Sequence, residues 1–118
     1  MGRIAEMEVI IITIETAAKE LAKELKKTEE YSNLRAAQAR IQLDPTAQDI
    51  VMAMEKIQER IQELHAEGLP VNEEFQKLYQ QQHKAAANPT LARYFQAHEA
   101  FSNLMKKADI IINDELND

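Results

Sequence analysis

The stretch Leu43–Gly68, LDPTAQDIVMAMEKIQERIQELHAEG, carries a full set of helix signals in one run. Asp44 suits an N-cap, because its carboxylate accepts from backbone N–H groups that a first helical turn leaves unpaired. Pro45 then takes the first helical position, where its missing N–H costs nothing and its fixed φ is already helical. From there Ala47, Ile50, Met54, Ile57, Ile61 and Leu64 step by three or four, which makes a narrow apolar seam. Glu55, Lys56, Glu59, Arg60 and Glu63 flank it with charge. Gly68 suits the left-handed residue that closes a helix. A helix over 45–67 is predicted, about 33 Å long.

The same signals recur on either side. Asn88-Pro89 repeats the start, and Leu91, Tyr94, His98, Phe101, Met105, Ala108 and Ile112 follow at helical spacing. Phe95, Leu104 and Ile111 widen that face, so this helix is expected to touch more than one neighbour. Between the two, Asn72 followed by Glu73 and Glu74 is placed to cap a helix carrying Val71, Phe75 and Leu78. Near the start of the chain, Met7, Ile10, Ile14, Ala17, Leu21 and Leu25 form a further seam. Val9–Ile14, VIIITI, has the composition of a strand. The following ETAAKELAKELKK is built from strong helix formers, and no second strand candidate exists to pair with, so a helix is expected. Thr28 suits the cap of a fresh helix and equally a kink in one long helix, and the residues leave both open. The prediction is an all-α antiparallel bundle of four to five helices with long hairpins, a single domain over residues 1–118. Its helices are expected near 5–27, 29–43, 45–67, 71–87 and 89–116.

Composition supports this and removes other classes. Among 118 residues there are 2 Gly and 3 Pro, too few for the many turns of a β-sandwich or barrel. With no Cys, disulfides, thiolate zinc sites, cysteine-ligated clusters and thiol catalysis are excluded together. The net charge is −6, and Lys19, Lys23, Lys26 and Lys27 are interleaved with Glu15, Glu20, Glu24, Glu29 and Glu30. That pattern is a solvated helix face with pairs such as Glu15–Lys19, not the cationic cluster that displaces counterions from nucleic acid. Direct nucleic-acid binding is therefore not expected. Val9–Ile14 is far shorter than the roughly 20 residues of a membrane span. Met1-Gly2 opens like a myristoylation signal, but Glu6 stands where that signal has Ser or Thr. No membrane association and a cytoplasmic location are expected.

The reactive residues do not assemble into a known catalytic or metal pattern. His65, His83 and His98 are preceded at three residues by Gln62, Gln80 and Phe95, so the Glu-x-x-His of a di-iron bundle is missing, and no HExxH occurs. His98, on the seam between Tyr94 and Phe101, is read as a packed or rim histidine, and His65 and His83 as exposed helix-end residues. Ser32 and Ser102 fall within helices without the glycine-rich turn that a nucleophilic serine needs. Two glycines, Gly2 and Gly68, make no phosphate-binding loop. A small helical acid/base enzyme would use inward Arg and Lys to clamp an anionic substrate, but Arg35, Arg40, Arg60 and Arg93 fall mainly on predicted solvent faces. No catalytic residue, cofactor or metal is expected.

Protein contacts remain. A compact chain of this length has a radius of gyration of about 13–14 Å. Helices of about 33 and 40 Å leave apolar seams uncovered on such a monomer. A homodimer, or a higher homo-oligomer, would cover them. The candidate seam for self-association or a partner comprises Ile50, Met54, Ile57, Ile61, Leu64, Tyr94, Phe95, Phe101 and Met105. Tyr94 and Phe95 are adjacent and cannot face the same way, so either core packing or a partner-facing patch fits them. Met52 is a candidate exposed apolar contact.

Three segments, taken in order, resemble the YlbF/YmcA family of small bacterial helical regulators. AAKELAKELKKTEEYSNLRAA is similar to that family's opening helix and its step of Ser or Thr, two acids and Tyr, here Thr28, Glu29, Glu30 and Tyr31. LDPTAQDIVMAMEKIQERIQELHAEG resembles its central helix, from Asp44 to Gly68. NPTLARYFQAHEAFSNLMKKADIIINDEL resembles its Asn-Pro start and long final helix. The likeness spans about residues 14–116. It implies a self-associating antiparallel bundle and a non-enzymatic role as an adaptor subunit, in complexes linked to competence, sporulation, biofilm formation and endoribonuclease-dependent mRNA processing. Some members carry cysteines tied to iron–sulfur clusters. This chain has none, so neither the cluster nor a redox role carries over.

The expected function is thus a helical adaptor or regulator acting through protein–protein contacts, with a possible heterologous protein partner in a bacterial regulatory complex. The alternatives are a self-assembling scaffold module without such a partner and, third, the small helical enzyme. Charging the seam centre with Ile57→Asp is expected to unfold or dissociate the bundle by several kcal/mol, through an unpaired buried charge. A light-scattering mass and melting temperature equal to the parent's would contradict that.

Overall fold

Local capping chemistry divides the chain. The computed structural model describes residues 2–118 and contains five helices: α1 Gly2–Lys26, α2 Glu29–Ile41, α3 Pro45–Ala66, α4 Asn72–Ala87 and α5 Pro89–Leu116. Met1, half of the Met1-Gly2 reading, lies outside the described residues, among which there is no strand. The protein is all-α.

α3 and α5 begin alike, on Asp44-Pro45-Thr46 and Asn88-Pro89-Thr90. The Ala47 N–H donates to Asp44 Oδ1 at 3.1 Å and the Leu91 N–H to Asn88 Oδ1 at 3.0 Å. The Thr90 side chain, the Ala47 and Thr46 N–H groups and the Asn88 side chain all favour the ionised Asp44 carboxylate, and they hold it below its ordinary value of 3.8. α3 ends in a Schellman motif: Gly68 takes φ +72°, its N–H donates to the His65 carbonyl, and the Leu69 N–H to that of Leu64. A Cβ at Gly68 would meet nothing within 4 Å, so backbone conformation alone asks for glycine there.

Two boundaries differ in an informative way from the sequence expectation, and α1 begins at Gly2, earlier than residue 5. Asn72 is the first residue of α4 and not its cap; Val71 precedes it, with no side-chain cap, and accepts from the Phe75 N–H at 3.0 Å. Glu73 and Glu74 still oppose the positive end of that helix. α2 stops at Ile41, two residues early, where the Leu43 and Asp44 N–H groups donate to the Arg40 and Ile41 carbonyls, and the Gln48 amide reaches back from α3 to donate to the carbonyls of Ile41 (3.1 Å) and Gln42 (2.8 Å). The choice at Thr28 resolves into two helices. Thr28 Oγ1 accepts from the Tyr31 N–H at 3.2 Å and donates to the Leu25 carbonyl at 2.6 Å, so one hydroxyl ends α1 and starts α2.

α2 lies against α5 and α3 against α4, while smaller contacts join α4 to α5 and α2 to α3. Both main pairs are antiparallel. Tyr31 at the start of α2 meets Phe101 well along α5, with ring centroids 5.8 Å apart, while Ile41 at its end shares a groove with Leu91. The core sits where three helix ends converge: Ala47 and Ile50 of α3, Ala85 of α4 and Leu91 of α5, with Ile41, Val51 and Met54 packed on it. Leu34 and Ala37 are buried on α2, and Leu64 and Leu78 in the α3–α4 hairpin.

α1 departs from the expectation. Its seam through Met7, Ile10, Ile14, Ala17 and Leu21 does not enter the bundle; every residue from Arg3 to Glu24 is exposed, and only Leu25 is half-buried. The elbow at Thr28 points the helix away. Among the described residues the ion pairs of this stretch are at i,i+3, Glu20–Lys23 and Glu24–Lys27, both 3.1 Å, and not the expected Glu15–Lys19. The result is extended: the radius of gyration is 20.5 Å and the dimensions are 59 × 40 × 27 Å.

Two consequences are measurable. Leu91 is 1% exposed, so Leu91→Ala is expected to cost about 3 kcal/mol in urea unfolding through the cavity it leaves; a loss within the about 0.5 kcal/mol of a surface change would contradict the core assignment. Because the Asp44 carboxyl is held below its ordinary value, its stabilising contribution is complete above about pH 4 and drains away as pH falls through the folded pKa. Asp44→Asn keeps a capping oxygen but not the charge. The melting temperature of the parent should therefore fall more than that of the variant between neutral pH and about pH 3, and parallel losses would refute the assignment.

Candidate interaction surfaces

The residues that carry chemistry are spread over the exterior. His65, His83 and His98 are all exposed. His98 sits on the rim, its ring 5.8 Å from that of Tyr94, and is not packed inside. Arg35, Arg40, Arg60 and Arg93 are exposed, with Arg60 3.4 Å from Glu63 and Arg35 within 3.5 Å of the Gln38 amide oxygen. Among the described residues no group of three His, Cys, Asp or Glu side chains is gathered to hold a metal ion. Among the described residues no helix is long and apolar enough to cross a membrane.

The candidate seam is divided by the fold. On α3, Ile50 and Leu64 are buried and Met54, Ile57 and Ile61 half-buried, all drawn into packing within the chain. On α5, Tyr94 and Phe101 are half-buried, the latter behind Tyr31, whereas Phe95 (45%) and Met105 (40%) remain exposed. Phe75, Tyr79 and Met52 are exposed as well. Tyr94 and Phe95 do diverge, as adjacency requires, yet their rings touch edge-on at 5.8 Å. Together with Ile41, Val51, Arg35 and Gln38 they border an open groove of about 550 Å³ between α2 and α5. Its lining is mostly apolar, with the Arg35 guanidinium and the Gln38 amide among it.

The largest apolar surfaces lie elsewhere. Ile4, Met7, Val9, Ile10, Ile11, Ile12 and Ile14 all project from α1 into solvent, and Ile110, Ile111, Ile112 and Leu116 project from the end of α5. Periodicity places Ile10 and Ile14 on a seam but says nothing of what covers it. The usable signal was the run Val9–Ile12, because consecutive apolar residues circle a helix and one neighbour covers only a stripe.

Compared with known proteins, residues 14–117 match the family model described as control of competence regulator ComK, YlbF/YmcA. A UPF0342 protein of Desulfitobacterium hafniense is 32% identical over 89 residues, covering 75% of this chain and 68% of that protein. One from Streptococcus uberis is 29% identical over 102 residues, covering 86% and 91%. Among solved structures, Bacillus subtilis RicA in complex with RicF superposes with a TM-score of 0.72 at 19% identity, covering 90% of this chain and 95% of that one. That likeness shows a shared fold.

Proposed function

We propose that this chain, which belongs to the YlbF/YmcA family, is a non-enzymatic helical adaptor that works in the cytoplasm through protein–protein contacts and self-association. The observation that carries the reading is uncovered surface. The chain exposes 9590 Å², whereas a compact monomer of 13.5 kDa exposes about 6,500 Å². The excess is of the size that obligate protein interfaces bury, and most of the exposed large apolar side chains lie on α1 and α5. The RicA neighbour, solved with RicF bound, supports a role in which such a fold engages a second protein. The groove at Tyr94 and Phe95 is a second contact surface, separate from the α1 arm.

Light scattering on the purified chain should give at least twice 13.5 kDa, and affinity capture from host lysate should recover a stoichiometric heterologous partner. A monomer that recovers none overturns the adaptor reading, and an oligomer that recovers none turns it into a scaffold. Thermal stabilisation by dicarboxylates or sugar phosphates, lost on Arg→Ala changes, would overturn the non-enzymatic part.

A further inference from the structure

We propose that α1 and the tail of α5 are the two halves of one two-fold interface, in which α1 of each copy lies on residues 105–116 of the other. This rests on the self-association part of the reading above and names the surfaces that carry it.

Four observations lead there. First, the elbow holds α1 off its own chain: Thr28 Oγ1 is bonded both to Leu25 behind it and to Tyr31 ahead. Second, the surfaces match in kind. Met7, Ile10 and Ile14 on α1 repeat at three and four residues, as do Met105, Ala108 and Ile112 on α5. No charge falls within Val9–Ile14 or Ile110–Ile112, and the charges around them, Glu6, Glu8 and Glu15 on α1 and Lys106, Lys107, Asp109, Asp114 and Glu115 on α5, must stay at the edge of the contact. Third, the apolar residues of Val9–Ile14 circle α1 at 100° steps. A two-fold axis gives that helix two neighbours at once, the α5 tail and the α1 of the second copy. Fourth, the surface in excess of a compact monomer, about 3,000 Å² per chain, suits an obligate dimer in which both halves are covered. A second copy is the occupant that satisfies both surfaces with one self-complementary contact.

The chain has no cysteine, so introduced thiols report proximity without background. An Ile14→Cys copy and an Ile112→Cys copy, mixed in equal amounts and treated with a short bis-maleimide, should give a covalent dimer containing one of each. Ile11→Asp should halve the light-scattering mass while the far-ultraviolet helix signal of the remaining helices persists. Cross-linking within a single chain carrying both cysteines would show that α1 closes on its own α5, and would overturn the exchange. A dimer that neither cross-links at these positions nor responds to Ile11→Asp overturns the exchange and leaves self-association standing. A monomeric parent chain overturns both, including the case in which a heterologous protein lost on Ile11→Asp covers α1.

Discussion

Two alanines and a leucine hold this protein in its shape. Ala47 and Ala85 are almost wholly buried, and their small side chains let the start of α3 and the end of α4 come close enough for Leu91, at the start of α5, to fill the remaining space. Ala47 and Leu91 each lie three residues past an Asx cap and donate their N–H to it, so the bond that starts each helix also positions its core residue. With those ends fixed, α5 is directed back along α2, and Tyr31 finds Phe101. The remaining packing on α2 and in the α3–α4 hairpin continues from that junction.

What was legible in the sequence is what local chemistry decides. The Asp44 and Asn88 caps, the prolines that follow them and the glycine closing α3 act through their own neighbours, so their positions fixed three breaks to within a residue or two. Gln48 was illegible because its partners, the carbonyls of Ile41 and Gln42, belong to another helix. Thr28 read equally as a kink or a cap, since the choice turns on the direction α1 takes beyond it. The seam on α3 was legible as apolar, yet spacing does not say whether its neighbour belongs to the same chain. Half of the candidate site is thereby absorbed into the hairpin, while the apolar residues of α1 and the α5 tail, which lie outside that candidate set, stay exposed.

Stability is distributed unevenly as a result. The buried residues lie on α2 to α5, whereas α1 is held mainly by Leu25 and the Thr28 hydroxyl. Ion pairs add little, because those on α1 are well exposed and span a single turn. A helix of 25 residues with so few tertiary contacts depends on its own propensity and on whatever surface it meets.

The order of elements along the chain gives that arm a consequence during synthesis. α1 leaves the ribosome ahead of α5, whose last turns follow some 80 residues later at about 5–20 residues per second. For several seconds the run VIIITI, β-branched at every position and free of proline, is presented with nothing later in its own chain to shield it. Glu6, Glu8 and Glu15 bracket that run and act as gatekeepers against strand-like aggregation. The charge at either end of the run therefore matters most before the rest of the chain has been made.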